Sequence, residues 1–265
     1  MSTLYPADVR FSLEAFSRHG GLEGPHKDGW GIAYYADEDV RLVKEPLAAF
    51  DSACIRYIQD HPFTSHAVVG HIRRATQGAL AMKNCQPFVR ELGGRMHVLA
   101  HNGDLAMPGL LRRFALGNSR PVGGTDSEYA FCALLAQLEP LWRSNHQPAL
   151  ADRLAVVSAF AAKIRLLGPA NFLYSDGNAL FIHGHRRNHG DGAGATPPGL
   201  HVLSRSCMIS PGAIEADGFS VTMGPEQHAV LAASVPLTSE PGWRALREGE
   251  LVVAQGGRIG TNGLA

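Results

Sequence analysis

Residues 70–78 read Gly70-His-Ile-Arg-Arg-Ala-Thr-Gln-Gly78 and close the longer run His66-Ala-Val-Val-Gly-His-Ile-Arg73. The run begins as a buried strand and turns polar at its end. In a strand, His71, Arg73 and Ala75 face one way and Ile72, Arg74 and Thr76 the other. A guanidinium at the end of a buried strand needs an anionic partner, because burying it unpaired is costly. That partner is a protein carboxylate or the carboxylate of a substrate. Spacing alone leaves both open and makes the internal ion pair the simpler.

Two further segments share the pattern of polar groups closing an apolar element. Met96-His-Val-Leu-Ala100 runs into His101-Asn102-Gly103. Glycine permits positive φ and close backbone approach, and a side-chain amide beside a free N–H is a usable oxyanion hole. As an isolated dipeptide, Asn-Gly is also a plain turn. Gly123-Gly-Thr-Asp-Ser-Glu128 reads as a helix start, with Glu128 three residues after Thr125 as in a capping box. Asp126 either complements the helix dipole or accepts from a substrate ammonium.

Outward from these segments the chain is rich in strands. Ile32–Tyr35 and Val40–Val43 form a hairpin across Asp37-Glu-Asp39, and Phe172–Tyr174 and Ala179–Ile182 form another. Leu200–Leu203, Phe219–Met223, Ala229–Val235 and Leu251–Ala254 extend the β content of the second half. Helices are predicted over Asp51–Asp60, from Thr125 to Leu138, and over Ala149–Leu166, where the apolar positions recur at helical spacing before Gly168-Pro169. Strands and helices do not alternate regularly, and no glycine-rich phosphate loop follows a strand. Sheets sandwiched between helix layers fit better than a doubly wound fold.

Lys+Arg and Asp+Glu both number 24, so the net charge is zero, which argues against holding nucleic acid or an anionic membrane by bulk charge. Four cysteines without a C-x-x-C pair suggest neither a disulfide framework nor a thiolate zinc site. The start lacks the apolar segment of a signal peptide, and no stretch approaches the ~18 apolar residues of a membrane helix. A cytoplasmic protein of one domain, residues 1–265, is expected. Gly184–Gly199 is too rich in glycine and proline for regular structure. His183, His185, His189 and His201 gather around it, but their spacing is irregular and carboxylates are few, so solvated side chains are expected and no metal is assigned.

Taken together, GHIRRAT, HNG and TDSE, in that order and spacing, resemble the class II glutamine amidotransferases, a branch of the N-terminal-nucleophile hydrolases. His26-Lys-Asp-Gly-Trp-Gly-Ile-Ala33 is similar to their early glycine-rich motif, and GPHKDGWGIAYY, NCQPFVREL and SVPLTSEPGW resemble a small stand-alone, YafJ-like subgroup. The resemblance covers nearly the whole chain. It implies an α+β fold, a four-layer αββα sandwich, and hydrolysis of a glutamine or γ-glutamyl side-chain amide through a cysteinyl thioester. By motif, Arg73 would grip the substrate α-carboxylate as a bidentate fork. Asp126 would take the α-ammonium, Thr76 would lie in the substrate loop, and the Asn102 side chain with the Gly103 N–H would form the oxyanion hole. Arg74 and Gln77 stand where larger members often carry Trp and His. The implied partner is a small-molecule substrate, with no cofactor, no metal, no nucleic acid and no membrane; a homo-oligomer is left open.

One departure concerns the nucleophile. In the family it is a cysteine made N-terminal by loss of Met, with its own α-amine as base. Members of the subgroup begin Met-Cys and continue in a short apolar strand. This chain begins Met1-Ser2-Thr3-Leu4, so both the cysteine and the first strand of the sheet are expected to be missing from it. The alignment puts the nucleophile five residues upstream of Met1. The favoured explanation is a start assigned at an internal Met. The alternatives are an inactive amino-acid or partner-binding module of the same fold, or Ser2 as nucleophile, some ~20 Å from the motif position. Among the internal cysteines, Cys85 lies near the pocket in sequence but lacks a free α-amine, and Cys132 reads as a small core residue.

Overall fold

The structure, a computed structural model, describes residues 1–144, 146–190, 192–208, 214–216, 219–221 and 226–260. The strands of the first half are β1 (Ser2–Asp8), β2 (Trp30–Ala36), β3 (Asp39–Glu45), β4 (Ser65–Ile72), β5 (Phe88–Leu92) and β6 (Arg95–Gly103). The second half adds β7 (Ala170–Ser175), β8 (Leu180–His183), β9 (Arg187–Asn188), β10 (Ala195–Thr196), β11 (His201–Met208), β12 (Ile214–Ala216) and β13 (Phe219–Val221). It ends with β14 (Glu226–Ala233), β15 (Arg244–Ala245), β16 (Leu251–Gln255) and β17 (Arg258–Ile259). The helices are α1 (Arg10–Ser17), α2 (Ala53–Asp60), α3 (Met107–Arg113), α4 (Asp126–Ser144) and α5 (Leu150–Ile164).

Two antiparallel sheets stack face to face. One runs β15-β11-β14-β1-β4-β2-β3 with β12 and β13 attached beside β1, and the other runs β17-β16-β8-β7-β6-β5. The period-2 alternation of the strands explains the layering. In β2, Ile32 and Tyr34 join α1 and α2 residues such as Leu13, Ile55 and Ile58 in an outer core. Ala33 and Tyr35 point the other way, into a core shared with Val69 of β4, Val98 and Ala100 of β6, and Val230 of β14. A third core joins Leu99, Phe172 and Phe181 to Phe131, Leu134, Val157 and Phe160 on α4 and α5. Helices, sheet, sheet, helices make the four-layer αββα sandwich, as expected. No helix among the described residues is long and apolar enough to cross a membrane.

The N-terminus differs from the sequence expectation. Ser2–Asp8 is itself a strand, placed between β14 (Ser2 opposite Val230) and β4 (Ser2 opposite Ala67). Its sequence, STLYPAD, has no apolar run and carries a proline, so it does not read as a strand. Pro6 is accommodated by a shift of register between Ser2 and Ala7, where the ladder to β4 is irregular. Ser2, Thr3 and Ala7 are nonetheless buried.

Other differences are local. The stretch expected as an unstructured loop holds the two-residue ribbon of β9 and β10, and His183 and His185 are buried rather than solvated. The helix predicted to stop at Leu138 continues to Ser144 through Pro140. Strand β13 matches the start of the predicted Phe219–Met223 segment; residues 222–223 lie outside the described set.

Candidate active site

Arg73 follows the last residue of β4, and its backbone is held by the early glycine-rich motif. Its N–H donates to Gly29 O at 2.7 Å, and its carbonyl accepts from Asp28 N–H at 3.0 Å. The Asp28 carboxylate accepts from Ala75 N–H at 2.8 Å, which turns the chain into the loop that follows. Arg73 as a residue is 4% exposed. It donates only to carbonyl oxygens, of Gln77 at 2.7 Å, Gly78 at 3.1 Å, Ala79 at 3.3 Å and Asp28 at 3.4 Å. Among the described residues no carboxylate pairs with it. The internal ion pair, the simpler reading of its spacing, is therefore not what the structure holds.

The loop that curls over Arg73 is tied to the other two motifs. Asn84 donates to Ala79 O at 2.8 Å and accepts from Gly124 N–H at 3.0 Å. Gln86 clamps the backbone of His101, donating to its carbonyl at 3.0 Å and accepting its N–H at 2.7 Å. The Gln77 amide reaches Asp104 and the carbonyl of Leu105, while Leu105 N–H donates to Asp126 Oδ2 at 2.7 Å. Asn84 and Gln86, both from the Asn84-Cys-Gln-Pro87 segment, are thus scaffold for the loop and for β6. Thr76 is exposed in this loop with no side-chain hydrogen bond among the described residues.

Asp126 opens α4 and is 4% exposed. Its Oδ1 meets only the Ser127 hydroxyl, at 3.3 Å, and no Lys or Arg among the described residues pairs with it. The capping box is half made. Thr125 Oγ1 accepts from Glu128 N–H at 3.2 Å, but the Glu128 carboxylate turns to Val122 N–H, Gly123 N–H and Arg90.

Asn102 and Gly103 lie within β6, opposite Asn171 and Ala170 of β7, so they are not a turn. Gly103 does not adopt positive φ. Glycine is required there because a Cβ would sit 1.9 Å from the Pro169 carbonyl oxygen. Asn102 points between the sheets, on the parity of Val98 and Ala100, and its Nδ2 donates to the Ser234 hydroxyl at 2.8 Å. Asn171 braces the same point, donating to the Asn102 carbonyl at 2.8 Å. Ser234 opens the SVPLTSEPGW phrase and Asn171 lies at the start of β7; neither is marked as a site residue by its local sequence, since both meet Asn102 only through long-range packing. On the face of β6 toward α4, His101 Nδ1 meets Ser127 Oγ at 2.9 Å, and burial lowers its pKa. Burial also pushes His71, next but one before Arg73, down to about 3.

The two ends of the nucleophile question are also placed. The Met1 amine is buried, donates to Val68 O at 2.8 Å, and is lowered to about 5 by desolvation. Ser2 stands opposite Ala67, six residues before Arg73 along β4, about 20 Å away at strand spacing. Cys85 is buried with its thiol against Glu45 O at 3.3 Å, and burial raises its pKa against the pull of Arg73 and Lys44.

A two-sheet sandwich with a buried guanidinium, an amide and a carboxylate near one another is the arrangement that the resemblance to the class II amidotransferases implies. A family model for "Glutamine amidotransferases class-II" matches residues 1–264, and the chain belongs to that family. It is 36% identical over 259 residues to the Escherichia coli protein called "Putative glutamine amidotransferase YafJ", covering 94% of this chain and 93% of that one. A Haemophilus influenzae protein called "Putative glutamine amidotransferase" is 30% identical over 95% of this chain and 81% of its own length. Among solved structures, a "predicted glutamine amidotransferase" from Pseudomonas aeruginosa superposes with a TM-score of 0.65 at 32% identity, over 91% of this chain and 90% of that one. The glutamine phosphoribosylpyrophosphate amidotransferase of B. subtilis shares the fold at a TM-score of 0.53 and 16% identity, over 95% of this chain and 45% of that one.

Proposed function

We propose that this chain is the substrate-binding and amide-activating body of a cytoplasmic amidohydrolase acting on a glutamine or γ-glutamyl side-chain amide, with residues 1–265 as one domain. Arg73 takes the α-carboxylate, Asp126 the α-ammonium, and Thr76 the rim of the pocket. Asn102 Nδ2 and the Gly103 N–H receive the amide oxygen as it becomes an oxyanion. The observation that carries this reading is the charge inventory: a buried cation and a buried anion, neither paired with an opposite charge among the described residues. They are joined through Gln77 and Leu105 by a short run of hydrogen bonds. A free α-amino acid supplies both missing counter-charges.

The thiol nucleophile, in this proposal, enters on a strand continuing β1 upstream of Met1. Met1 and Val68 exchange backbone hydrogen bonds, and each residue added upstream advances one residue along β4. Five residues carry that level from Val68 to Arg73. The thiolate adds to the amide carbon, ammonia leaves with a proton relayed by the cysteine α-amine, and water hydrolyses the thioester to the free γ-carboxylate. Register supports this over Ser2, whose place in β1 is about 20 Å from Arg73.

A second reading, an inactive binding module, draws on the Met1 amine being engaged with Val68 rather than free in the pocket. Ammonia release decides between them. The 265-residue chain is expected to release none from glutamine above a heat-killed control. A chain extended upstream by a Met-Cys strand in register, with its Met removed, is expected to turn over. If that extended protein is folded and processed yet silent on glutamine and γ-glutamyl amides, the module reading stands.

A further inference from the structure

Asn84 closes the short turn Met82–Asn84 and is 2% exposed. Both ends of its side-chain amide are engaged, each on a different ligand-gripping segment. Nδ2 donates to the Ala79 carbonyl at 2.8 Å, in the loop that follows Arg73. Oδ1 accepts from Gly124 N–H at 3.0 Å, just before Asp126. The reversed amide would set donor against donor and acceptor against acceptor, so these two bonds fix its orientation. The Ala79 carbonyl also accepts from Arg73 Nη1, at 3.3 Å. One carbonyl and one amide thus connect the buried guanidinium to the segment that carries the buried carboxylate.

Glycines let both segments close on that amide. Gly78 has φ +75°, and a Cβ on it would stand 2.9 Å from Asn84 Nδ2. A Cβ on Gly123 would stand 2.2 Å from Asn84 Oδ1. The Gly123 turn is also held from within α4, where the Glu128 carboxylate accepts from Val122 N–H at 3.0 Å and from Gly123 N–H at 2.7 Å. Glu128 therefore steadies one segment, whereas Asn84 fixes one against the other. The run through Gln77 and Leu105 joins them as well, but it begins at the half-buried Gln77, where water competes for the bonds. The Asn84 bridge is sealed.

Two contacts to one small molecule reinforce each other only when their spacing matches the molecule, because the second then forms as an intramolecular event. We propose that Asn84 is the positioning residue that sets the distance between Arg73 and Asp126, and so makes the site select molecules bearing both an α-carboxylate and an α-ammonium over those bearing one of them. The inference rests on the reading of Arg73 and Asp126 as the two grips and adds what fixes their spacing. Asn84 acts through the two segments and does not touch the ligand.

Calorimetric titration of the full chain tests this with three ligands: glutamine, glutaramate, which lacks the ammonium, and γ-aminobutyramide, which lacks the carboxylate. The parent should bind glutamine about tenfold or more tightly than either analogue. Asn84→Ala should weaken glutamine by about tenfold and leave each analogue within about twofold of its parental affinity. Asn84→Asp has the same shape, keeps the acceptor for Gly124 and loses the donor to Ala79. It should weaken glutamine and leave γ-aminobutyramide unchanged, and it carries the test if the alanine variant does not fold. Equal binding of all three by the parent, glutamine binding that survives Asn84→Ala, or a loss shared equally by the three ligands overturns the proposal. If the parent binds no glutamine, the reading of the two grips has failed instead. Amide hydrogen exchange of the ligand-free chain judges the bridge in every case, that one included. Asn84→Ala should speed exchange in residues 77–81 and 122–125 together, and Asn84→Asp in 77–81 alone, with β4 unchanged. An alanine variant loosened in neither segment, or in one only, overturns the bridge.

Discussion

In the proposed site, Arg73 and Asp126 are two buried charges with no counter-charge among the described residues, left for a ligand to neutralise. Replacing either with Ala should weaken glutamine binding by roughly 2–5 kcal/mol, because the matching end of the ligand then loses its partner in a desolvated site. Calorimetry on the chain reads this directly, and an Arg73→Ala protein that binds glutamine like the parent removes the role assigned here. Asn102 should behave differently. In the proposed mechanism its amide meets charge that exists fully only in the transition state, so in the upstream-extended enzyme Asn102→Ala should lower kcat by about 10²–10³ with KM little changed. A change confined to KM would assign Asn102 to ground-state binding. At this scale the sequence pointed to GHIRRAT, HNG and TDSE, and the structure brings the three segments together through Gln77, Leu105 and Asp126. It did not show that Ser234 and Asn171 brace Asn102, because those contacts come from long-range packing that no local pattern encodes.

Among elements, α4, α5 and the hairpins β2–β3 and β7–β8 follow from apolar periodicity and turn residues, and they form close to where those signals put them. Strand β1 does not, because its burial comes from its neighbours rather than from its own composition. The α5 helix shows a second hidden device. Arg153, 2% exposed, reaches from α5 to Asp176 at the turn between β7 and β8, at 2.6 Å, and its other nitrogen donates to Asn178 at 2.8 Å. Asp176 also accepts from the N–H groups of Asn178 and Ala179, so one carboxylate closes the turn and anchors the helix. Removing one partner of a buried pair leaves an uncompensated charge. Arg153→Ala should therefore cost about 3–5 kcal/mol in urea unfolding, and the double variant Arg153→Met with Asp176→Asn should cost less than the single one. If Arg153→Ala unfolds at the parental midpoint, the pair does not anchor the helix.

For the whole molecule, the interior imidazoles set the response to acid. Burial lowers His97 to about 4, with its ring held between the Tyr174 hydroxyl at 2.7 Å and Leu92 O at 3.1 Å, and lowers His71 and His183 to about 3. Each is neutral when folded and takes up a proton more readily when unfolded. Their stabilisation is complete above the ordinary value of 6.5 and is lost as the pH falls from there toward 4 and then 3. The urea midpoint should drop steeply between pH 6.5 and 4, and a midpoint that stays level down to pH 4.5 would show these rings to be protonated without cost. The position of β1 has a further consequence, in time. Ser2 must meet Val230, 228 residues later in the chain, before the two halves of the larger sheet are joined. At ribosomal speeds of about 5–20 residues per second, the first residues made wait roughly 10–45 s for the strand that covers their far edge. Until it arrives β1 offers that edge to any passing strand, so the newborn chain is most exposed to misassembly at its oldest end.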